Sequence, residues 1–190
     1  TNLFTVGDSQ ATIIGSTTLI FSGISLIRGD AFVTASSSTY WNGGAASDHF
    51  TGTDSTSMEI FCGGAGGDTI NGAGGIDLIT YWNSDAGVTI DLANNNASGG
   101  HAQGDVLTNI ENITGSIFND SLTGDSGINV IKGGAGDDTL NGGAGADVLV
   151  GGAGDDTLDG GSGTDQISFA DSLSSNYVDL GAGYSLAGDS

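Results

Sequence analysis

The stretch GGAGDDTLNGGAGADVLVGGAGDDTLDGGSGTDQIS, residues 133–168, consists of four nine-residue units in unbroken register. Two looser units, GSIFNDSLT (115–123) and GDSGINVIK (124–132), lead into it, and GGAGGDTIN (63–71) and GAGGIDLIT (72–80) keep the same pattern upstream. Written as G-G-x-G-x-D-x-U-x, the unit has an aspartate at position six and a large aliphatic residue at position eight. Such a strict period indicates an architecture in which each unit stacks on its neighbours.

The aliphatic residue of each unit is flanked by small or polar residues, which is typical of a short β-strand with one buried face. Glycines at positions one, two and four permit positive φ and close backbone approach, so the first six residues predict a tight turn with inward carbonyls. Two units would complete one coil, and the coils would stack into parallel sheets. The aliphatic residues expected in the core are Ile70, Ile79, Leu122, Ile131, Leu140, Leu149, Leu158 and Ile167.

The composition excludes several classes of protein. Glycine makes up 36 of the 190 residues and proline is absent, which excludes collagen and proline-rich linkers. With 23 acidic and two basic residues, the net charge of -21 argues against nucleic acids and anionic membranes as partners and favours cations. No run of residues is long and apolar enough for a transmembrane segment, and the single cysteine, Cys62, cannot form an intrachain disulfide.

The position-six aspartates would lie close together in stacked coils and repel one another. A dication between them would remove this repulsion and add to the about 1.5–3 kcal/mol that one buried aliphatic side chain supplies. Calcium accepts about six to eight oxygen ligands in flexible geometry, whereas magnesium usually keeps several waters. Because the chain has no clustered histidines or cysteines for zinc, the sequence predicts several bound Ca²⁺ ions.

These units resemble the RTX (repeats-in-toxin) haemolysin-type calcium-binding repeats of secreted bacterial proteins. The resemblance implies an all-β fold, a right-handed parallel β-roll, or calcium-bound β-solenoid, with two units per turn and here an N-terminal β segment. It also implies that each ion lies between consecutive turns. The earlier turn would give the carbonyls of positions two and four and the position-six aspartate, and the later turn the carbonyls of positions one and three and its own aspartate.

Carried onto this chain, the resemblance implies two strong sites on opposite edges of the roll. Their ligands would be Gly134, Gly136, Asp138, Gly151, Ala153 and Asp156 in one site, and Gly143, Gly145, Asp147, Gly160, Ser162 and Asp165 in the other. Two weaker sites would precede them: Ser116, Phe118 and Asp120 with Gly133, Ala135 and Asp138, and Asp125, Gly127 and Asn129 with Gly142, Ala144 and Asp147. Because Asn129 carries no charge, the last site is expected to bind weakly or to stay empty.

The upstream run is less regular, because the unit at 52–62 carries two extra residues. Across this bulge, one ion is expected between Gly44, Ala46 and Asp48 on one turn and Gly63, Ala65 and Asp68 on the next. Asp77 is a further candidate ligand. Its expected partner position holds Glu59, whose longer side chain changes the reach.

The chain divides into five predicted regions: a β-rich N-terminal segment (1–42), a first RTX run (43–80), an irregular continuation of about two turns (81–114), a second RTX run (115–168), and the start of another irregular block (169–190). We expect residues 1–42 to form a cap, a separate β module or an assembly element. IDLITYWNSDAGVTIDL (76–92) aligns without gaps on TDQISFADSLSSNYVDL (164–180), so we expect the parent protein to carry further blocks beyond Ser190.

No catalytic motif accompanies the repeats, since neither His49 nor His101 belongs to an HExxH sequence, and we expect no enzymatic activity. The sequence favours a calcium-binding structural or interaction segment of a large secreted surface protein, such as an S-layer, an adhesin or an extracellular filament. Copies of the chain or other cell-surface components are its candidate partners. The alternative is a secretion and folding module of a secreted enzyme (protease, lipase or polysaccharide epimerase) or of an RTX toxin. The resemblance implies type I secretion and folding on extracellular calcium.

Overall fold

The computed structural model describes residues 39–54, 56–168 and 177–179, and β-strands dominate these ranges. In chain order the strands are β1 (Thr39–Asn42), β2 (His49–Thr51), β3 (Glu59–Cys62), β4 (Thr69–Asn71), β5 (Leu78–Thr80), β6 (Thr89–Asp91), β7 (Asn96–Ser98), β8 (Val106–Thr108), β9 (Asn112–Thr114), β10 (Ser121–Thr123), β11 (Val130–Ala135), β12 (Thr139–Asn141), β13 (Ala144–Gly145), β14 (Val148–Ala153), β15 (Thr157–Asp159), β16 (Ser162–Gly163), β17 (Gln166–Ser168) and β18 (Tyr177–Asp179). A 3₁₀ turn, Gly100–Ala102, lies between β7 and β8.

Two predicted regions fall largely outside these ranges. The N-terminal β segment is described only from Thr39, where β1 begins, and the block after residue 168 is described only in β18. Within the described ranges, no helix has the length and apolar character that crossing a membrane requires.

The strands stack into the two sides of a solenoid. The first sheet has seven strands in the order β1-β3-β5-β9-β11-β14-β17. The opposite side contains a three-stranded sheet, β2-β4-β8, and a six-stranded sheet, β18-β15-β12-β10-β6-β7. The neighbouring strands run parallel, apart from the antiparallel pair β6 and β7. The parallel β-roll predicted from the repeat is confirmed.

The register of the second run advances by two units per turn. Cross-strand partners in the six-stranded sheet are Leu122, Leu140 and Leu158, and those in the first sheet are Ile131, Leu149 and Ile167. Each sheet therefore receives every second unit, and successive turns lie about 4.8 Å apart.

The core is a column of position-eight side chains between the two sides. All eight aliphatic residues predicted for it are buried, with exposed fractions of at most 3%. Toward β1 the column becomes aromatic: the ring of Trp41 stacks on Phe61 with centroids 6.0 Å apart and contacts Phe50 at 5.8 Å. Burial of each of these side chains stabilises the fold by about 1.5–3 kcal/mol. The stability from the core is therefore the sum of many small terms spread along the roll.

Residues 81–114 follow a different path from the one predicted. Strand β5 pairs directly with β9, so these 34 residues advance the first sheet by one step, and the expectation of two turns was wrong. The chain instead folds back on itself: β6 pairs with β10, β7 returns antiparallel to β6, and β8 pairs with β4. Asn95 adopts positive φ at this reversal, a conformation that asparagine tolerates better than most residues. A regular turn adds one strand to the opposite side, whereas this segment adds three, β6, β7 and β8.

Candidate metal sites

The position-six residues form a ladder of hydrogen bonds along each edge of the roll. We define edge one as the turns that lead from the first sheet to the opposite side, and edge two as the turns that lead back. On edge one, the amide of Asp120 donates to Oδ1 of Asp138 at 2.8 Å, and the amide of Asp138 donates to Oδ1 of Asp156 at 3.0 Å. On edge two, the same bonds, at 2.8 and 2.9 Å, connect Asn129, Asp147 and Asp165.

The ladder extends upstream although the spacing between turns changes. On edge one, the amide of Asp48 donates to Oδ1 of Asp68, 20 residues later, at 2.8 Å. The amide of Asp68 donates to Oδ1 of Asp105, 37 residues later, also at 2.8 Å. The bulge at 52–62 therefore leaves the pairing of Asp48 with Asp68 intact.

Edge two contains glutamates in place of two aspartates. The amide of Glu59 donates to Oδ1 of Asp77 at 3.1 Å, and the amide of Asp77 donates to Oε2 of Glu111 at 2.7 Å. The carboxylate of Glu59 turns back to its own turn, where it accepts hydrogen bonds from the amide and the hydroxyl of Thr53. Glu59 thus holds its position in the ladder while its carboxylate is occupied within its own turn.

Sequence reasoning missed Asp105 and Glu111 as members of the ladder. Asp105 is two residues before the buried Leu107, the same spacing that separates Asp147 from Leu149. This aspartate-x-aliphatic spacing was the available signal for Asp105. The broken nine-residue register around it concealed the match.

Several of the ladder carboxylates keep one buried oxygen without a hydrogen-bond partner. The second oxygen, Oδ2, is in this state in Asp68, Asp77, Asp138, Asp147 and Asp165. In Asp48 the corresponding atom is Oδ1, because Oδ2 accepts a hydrogen bond from the amide of Gly44 at 3.0 Å. A buried carboxylate oxygen without a donor is costly, so the ladder has the electrostatic character of a cation site.

Burial also disfavours the charged form of these groups. It raises the pKa of Asp138 to about 7, and the neighbouring charges of Asp120 and Asp156 raise it further against the opposing effect of the ladder hydrogen bond. Burial raises the pKa of Asp68 to about 7 in the same way, with added repulsion from Asp105 and Asp48. A dication beside these carboxylates would favour their ionised form.

Position one must be glycine because two oxygens approach it. A Cβ added to Gly133 would collide with Oδ2 of Asp138 and with the carbonyl oxygen of Gly151 on the next turn. The same convergence of a position-six side chain and a position-one carbonyl of the following turn occurs for Asp147 with Gly160, Asp120 with Gly133, Asn129 with Gly142, and Asp48 with Gly63. The structure thus brings together two of the ligand types expected in each site.

The other expected carbonyls lie between the turns and already accept backbone hydrogen bonds at five positions. Their oxygens accept from amides of the adjacent turn at 2.8–3.4 Å in Gly44, Ser116, Asp125, Gly143 and Ala153. A carbonyl oxygen has two lone pairs, so each of these oxygens can accept a hydrogen bond and still contact an ion.

The strong and weak sites differ at position four. Gly136 and Gly145 adopt positive φ, 112° and 142°. This backbone conformation is accessible mainly to glycine, and it sets the direction of the adjoining peptide group. Ala46, Phe118 and Gly127, at the same position in the weaker sites, are absent from the positive-φ residues of the described chain. The carbonyls of position four are therefore oriented differently in the two classes of site.

The weak sites also satisfy their position-six side chains internally. Asp120 accepts hydrogen bonds from the amide and the hydroxyl of Ser116, at 2.6 and 2.9 Å. The side chain of Asn129 accepts from the amide of Asp125 at 2.9 Å and donates to the carbonyl of Glu111 at 2.7 Å. A cation would therefore stabilise these two side chains less than it would stabilise Asp138 and Asp147, whose Oδ2 atoms lack a hydrogen-bond partner. Asp138 and Asp147 are expected ligands in a strong and in a weak site.

The remaining predicted ligands lie on the same turns. Gly134, Ala135 and Ala153 extend the strands β11 and β14 across edge one, and Ala144, Gly145 and Ser162 form the short pair β13 and β16 on edge two. Ala65 donates its amide to the carbonyl of Gly44. Within the described residues, no three His, Cys, Asp or Glu side chains gather around one point.

The family comparison agrees with this geometry. The model of the RTX calcium-binding nonapeptide repeat matches residues 114–149 and 142–171. The chain carries RTX repeats. The matched residues comprise the second RTX run and a few flanking residues, and they mark a calcium-binding segment of a type found in secreted proteins. The first RTX run lies outside the match, although its ladder has the same form. The chain has no match among curated proteins.

Proposed function

We propose that this chain is a calcium-stiffened structural segment of a large secreted bacterial surface protein, such as an S-layer, an adhesin or an extracellular filament. It would leave the cell unfolded by type I secretion and fold when it meets extracellular calcium. The observation that carries the proposal is the row of buried carboxylate oxygens without hydrogen-bond partners at Asp138, Asp147 and Asp165. In a chain with a net charge of -21, such a row favours folding only with bound cations.

In this proposal the ions lie between consecutive turns. The two strong sites use Asp138 with Asp156 on edge one and Asp147 with Asp165 on edge two, together with the carbonyls of their turns. Weaker sites lie between Asp120 and Asp138 and between Asp48 and Asp68. Affinities of about 10⁻⁴–10⁻³ M, typical of extracellular calcium modules, would keep the chain unfolded in a cytoplasm that is poor in calcium.

The structural role is supported by how the described acidic residues are used. The position-six carboxylates hold amides of the neighbouring turn, and the aliphatic residues between them fill the core. The inward side chains of the turns thus bind one turn of the roll to the next. This arrangement suits a segment whose role is to bear load or to set a distance between other parts of a protein.

Circular dichroism with and without a calcium chelator tests the central step. We expect β signal in millimolar calcium, its loss in excess chelator and its recovery when calcium is restored, with little recovery in magnesium. Native mass spectrometry of the calcium-loaded chain would count the ions. An unchanged β signal in excess chelator would contradict folding on calcium.

The surface role has a separate test, which is electron microscopy of the chain in millimolar calcium. Ordered sheets or fibres would support a lattice or filament. Dispersed single particles at high protein concentration would argue against self-assembly and favour an adhesin or an appended module, while leaving the calcium proposal intact.

A further inference from the structure

The turn at residues 72–77 on edge two has the backbone of a strong site, although the turn that follows it in the stack is not a repeat unit. Position two is Ala73, with φ of 67°, and position four is Gly75, with φ of 125°. Gly134 and Gly136 of a strong site share this combination, with 120° and 112°. Positive φ costs an alanine about 1–2 kcal/mol, so the turn adopts the strong-site conformation even where the sequence disfavours it.

The carboxylate of this turn has one oxygen without a hydrogen-bond partner. Asp77 is 1% exposed, its Oδ1 accepts the amide of Glu59 at 3.1 Å, and its Oδ2 is buried without a donor. A Cβ added to Gly72 would collide with this Oδ2 and with the carbonyl oxygen of Asn109 on the next turn. The same convergence of two acceptor oxygens marks the strong sites. A cation between them would offset the cost of burying an unpaired carboxylate.

The next turn of the stack is only three residues long. Strand β8 ends at Thr108 and β9 begins at Asn112, so residues 109–111 alone cross edge two. Asn109 adopts positive φ of 51°, and its side-chain amide donates to Oδ1 of Asn71 at 2.8 Å, which holds it against the preceding turn. No nonapeptide unit includes these three residues, and the family match begins after them, at residue 114.

Glu111 supplies a second carboxylate from this shortened turn. Its Oε2 accepts the amide of Asp77 at 2.7 Å, the contact that a ladder aspartate makes from a six-residue turn. A carboxylate that accepts one hydrogen bond keeps lone pairs for an ion. Burial raises the pKa of Asp77 to about 6, with added repulsion from Glu59 and Glu111 against the ladder hydrogen bond. The negative charges of this edge thus act on one another at close range.

The other ladder neighbour of Asp77 is less suited to share an ion. Oε2 of Glu59 accepts hydrogen bonds from the amide and the hydroxyl of Thr53, at 2.7 and 3.2 Å. The unpartnered Oδ2 of Asp77 lies instead beside the carbonyl of Asn109, on the later turn. The second charge for an ion at Asp77 therefore comes from Glu111, whereas the sequence pattern pointed to Glu59.

The corresponding turn on edge one, residues 63–68, lacks this closure. It also has positive φ at positions two and four, and Oδ2 of Asp68 is buried without a partner. The three atoms nearest to a Cβ added to Gly63 all belong to Asp68, whereas at Gly72 the nearest atom is the carbonyl oxygen of the next turn. The carboxylate that follows in the ladder, Asp105, already accepts the hydroxyl of Tyr81 at 2.9 Å. The two edges therefore differ where the repeats meet the irregular stretch.

We propose that Asp77 and Glu111 hold a calcium ion on edge two, together with the carbonyls of Ala73, Gly75 and Asn109. The proposal rests on the proposed folding with calcium and adds one ion where a repeat turn faces a turn that is not a repeat. Waters or a bidentate carboxylate would complete the about six to eight oxygen ligands that calcium takes. A proton shared between Asp77 and the carbonyl of Asn109, and an ion between Asp77 and Glu59, are the competing arrangements.

Native mass spectrometry of the full chain tests this proposal, at the calcium concentration that just fills the sites of the native chain. Glu111→Gln keeps an oxygen for the amide of Asp77 but removes the charge, so we expect one ion fewer than in the native chain. Asp85→Asn, at an exposed position of the irregular stretch, removes the same charge and should keep the full number. Glu59→Gln should also keep it, because Thr53 occupies that carboxylate.

The other outcomes contradict the proposal. The native number of ions in Glu111→Gln would overturn it and favour a shared proton, and loss of an ion from Glu59→Gln alone would assign the ion to the other side of Asp77. Circular dichroism in saturating calcium checks that each variant folds.

Anomalous diffraction from crystals of the native calcium-loaded chain tests the same site without any substitution. We expect a calcium peak about 2.3–2.6 Å from the carboxylate of Asp77 and from the carbonyl of Asn109. An empty position there, with peaks between Asp138 and Asp156, would overturn this site alone. The absence of calcium peaks from both edges would instead contradict the proposed function.

Discussion

The second RTX run, residues 115–168, and the irregular stretch, residues 81–114, build the same ladder from different sequences. In the second run the ladder hydrogen bonds connect residues 18 apart, as between Asp138 and Asp156. At the irregular stretch the separations are 37 for Asp68 with Asp105 and 34 for Asp77 with Glu111. In both regions most rungs have a carboxylate two residues before a buried aliphatic side chain, with Val88 and Asn129 as the exceptions. The shared feature is therefore the amide-to-carboxylate bond between turns, while the length of the connecting segment varies.

The largest expected effect follows from removing one charge from the ladder of the second run. Asp138→Asn keeps the shape of the side chain, as the native Asn129 does at the same position, but it removes a carboxylate shared by two proposed calcium sites. Because the number of charged ligands tunes calcium affinity over several orders of magnitude, the calcium concentration at the folding midpoint should rise about tenfold or more. Calcium titration followed by circular dichroism measures this midpoint.

The neighbouring residue provides the matched control for this change. Asp137→Asn alters the net charge equally, but Asp137 is exposed, and its carboxylate accepts a hydrogen bond from the amide of Asp155 at 2.9 Å. Its midpoint should shift by less than about threefold. Equal shifts for the two variants would mean that total charge, rather than ligation at position six, controls folding.

The sequence predicted the second run in detail because its signals are local. The core side chains and the pairing of units 18 residues apart follow from a repeat with fixed spacing. The approach of Asp138 to Gly151 is one that the resemblance to RTX repeats implied. The path of residues 81–114 could not be predicted in this way, because the return of β7 along β6 depends on tertiary pairing that no period records. Asp105 is a ladder residue because β8 pairs with β4, a pairing between residues far apart in the sequence. The internal hydrogen bonds of Asp120 likewise depend on Ser116 replacing a glycine.

The pH dependence of folding should reverse when calcium is removed. In the roll the pKa values of Asp68 and Asp138 are about 7, above the value of about 3.9 for an aspartate in an unfolded chain. The metal-free roll therefore binds protons that the unfolded chain releases. The resulting stabilisation is greatest below about pH 4 and is lost as the pH rises through about 7. Calcium requires the ionised carboxylates, so its affinity should fall over the same range as the pH is lowered.

Circular dichroism in calcium-free buffer and calcium titration of folding, each at pH 5 and pH 8, measure both trends. Without calcium the residual β signal should be larger at pH 5, and the calcium concentration at the folding midpoint should be lower at pH 8. Light scattering would exclude acid aggregation. If the stability of the fold changed with pH in the same direction with and without calcium, competition between protons and calcium for the ladder carboxylates would be contradicted.

A smaller effect should separate glycines that the ladder requires from glycines that it does not. In Gly133→Ala, the new Cβ would collide with Oδ2 of Asp138 and the carbonyl of Gly151, and overpacking of this kind costs about 1–3 kcal/mol. In Gly44→Ala, the new Cβ would meet no atom within 4 Å, so the stability should change by less than about 0.5 kcal/mol. Urea unfolding of the calcium-loaded variants compares the two. A neutral Gly133→Ala would show that the carboxylate of Asp138 can leave this position.

An effect of similar size is expected at Asp105, a ladder carboxylate that a phenol stabilises. The hydroxyl of Tyr81, a fully buried residue, donates to Oδ2 of Asp105 at 2.9 Å. Tyr81→Phe leaves that oxygen without a donor and should lower the free energy of unfolding by about 1–3 kcal/mol. In the control Tyr40→Phe, the lost hydroxyl accepts a surface hydrogen bond from Nε1 of Trp82, and the change should stay within about 0.5 kcal/mol. Since the phenol satisfies this oxygen in the native chain, no ion is expected at Asp105, and Tyr81→Phe should not reduce the number of bound ions in native mass spectrometry, whereas Asp138→Asn should reduce it. If Tyr81→Phe instead removes an ion, the irregular stretch takes part in calcium binding at Asp105, and the two regions share their metal sites as well as their ladder.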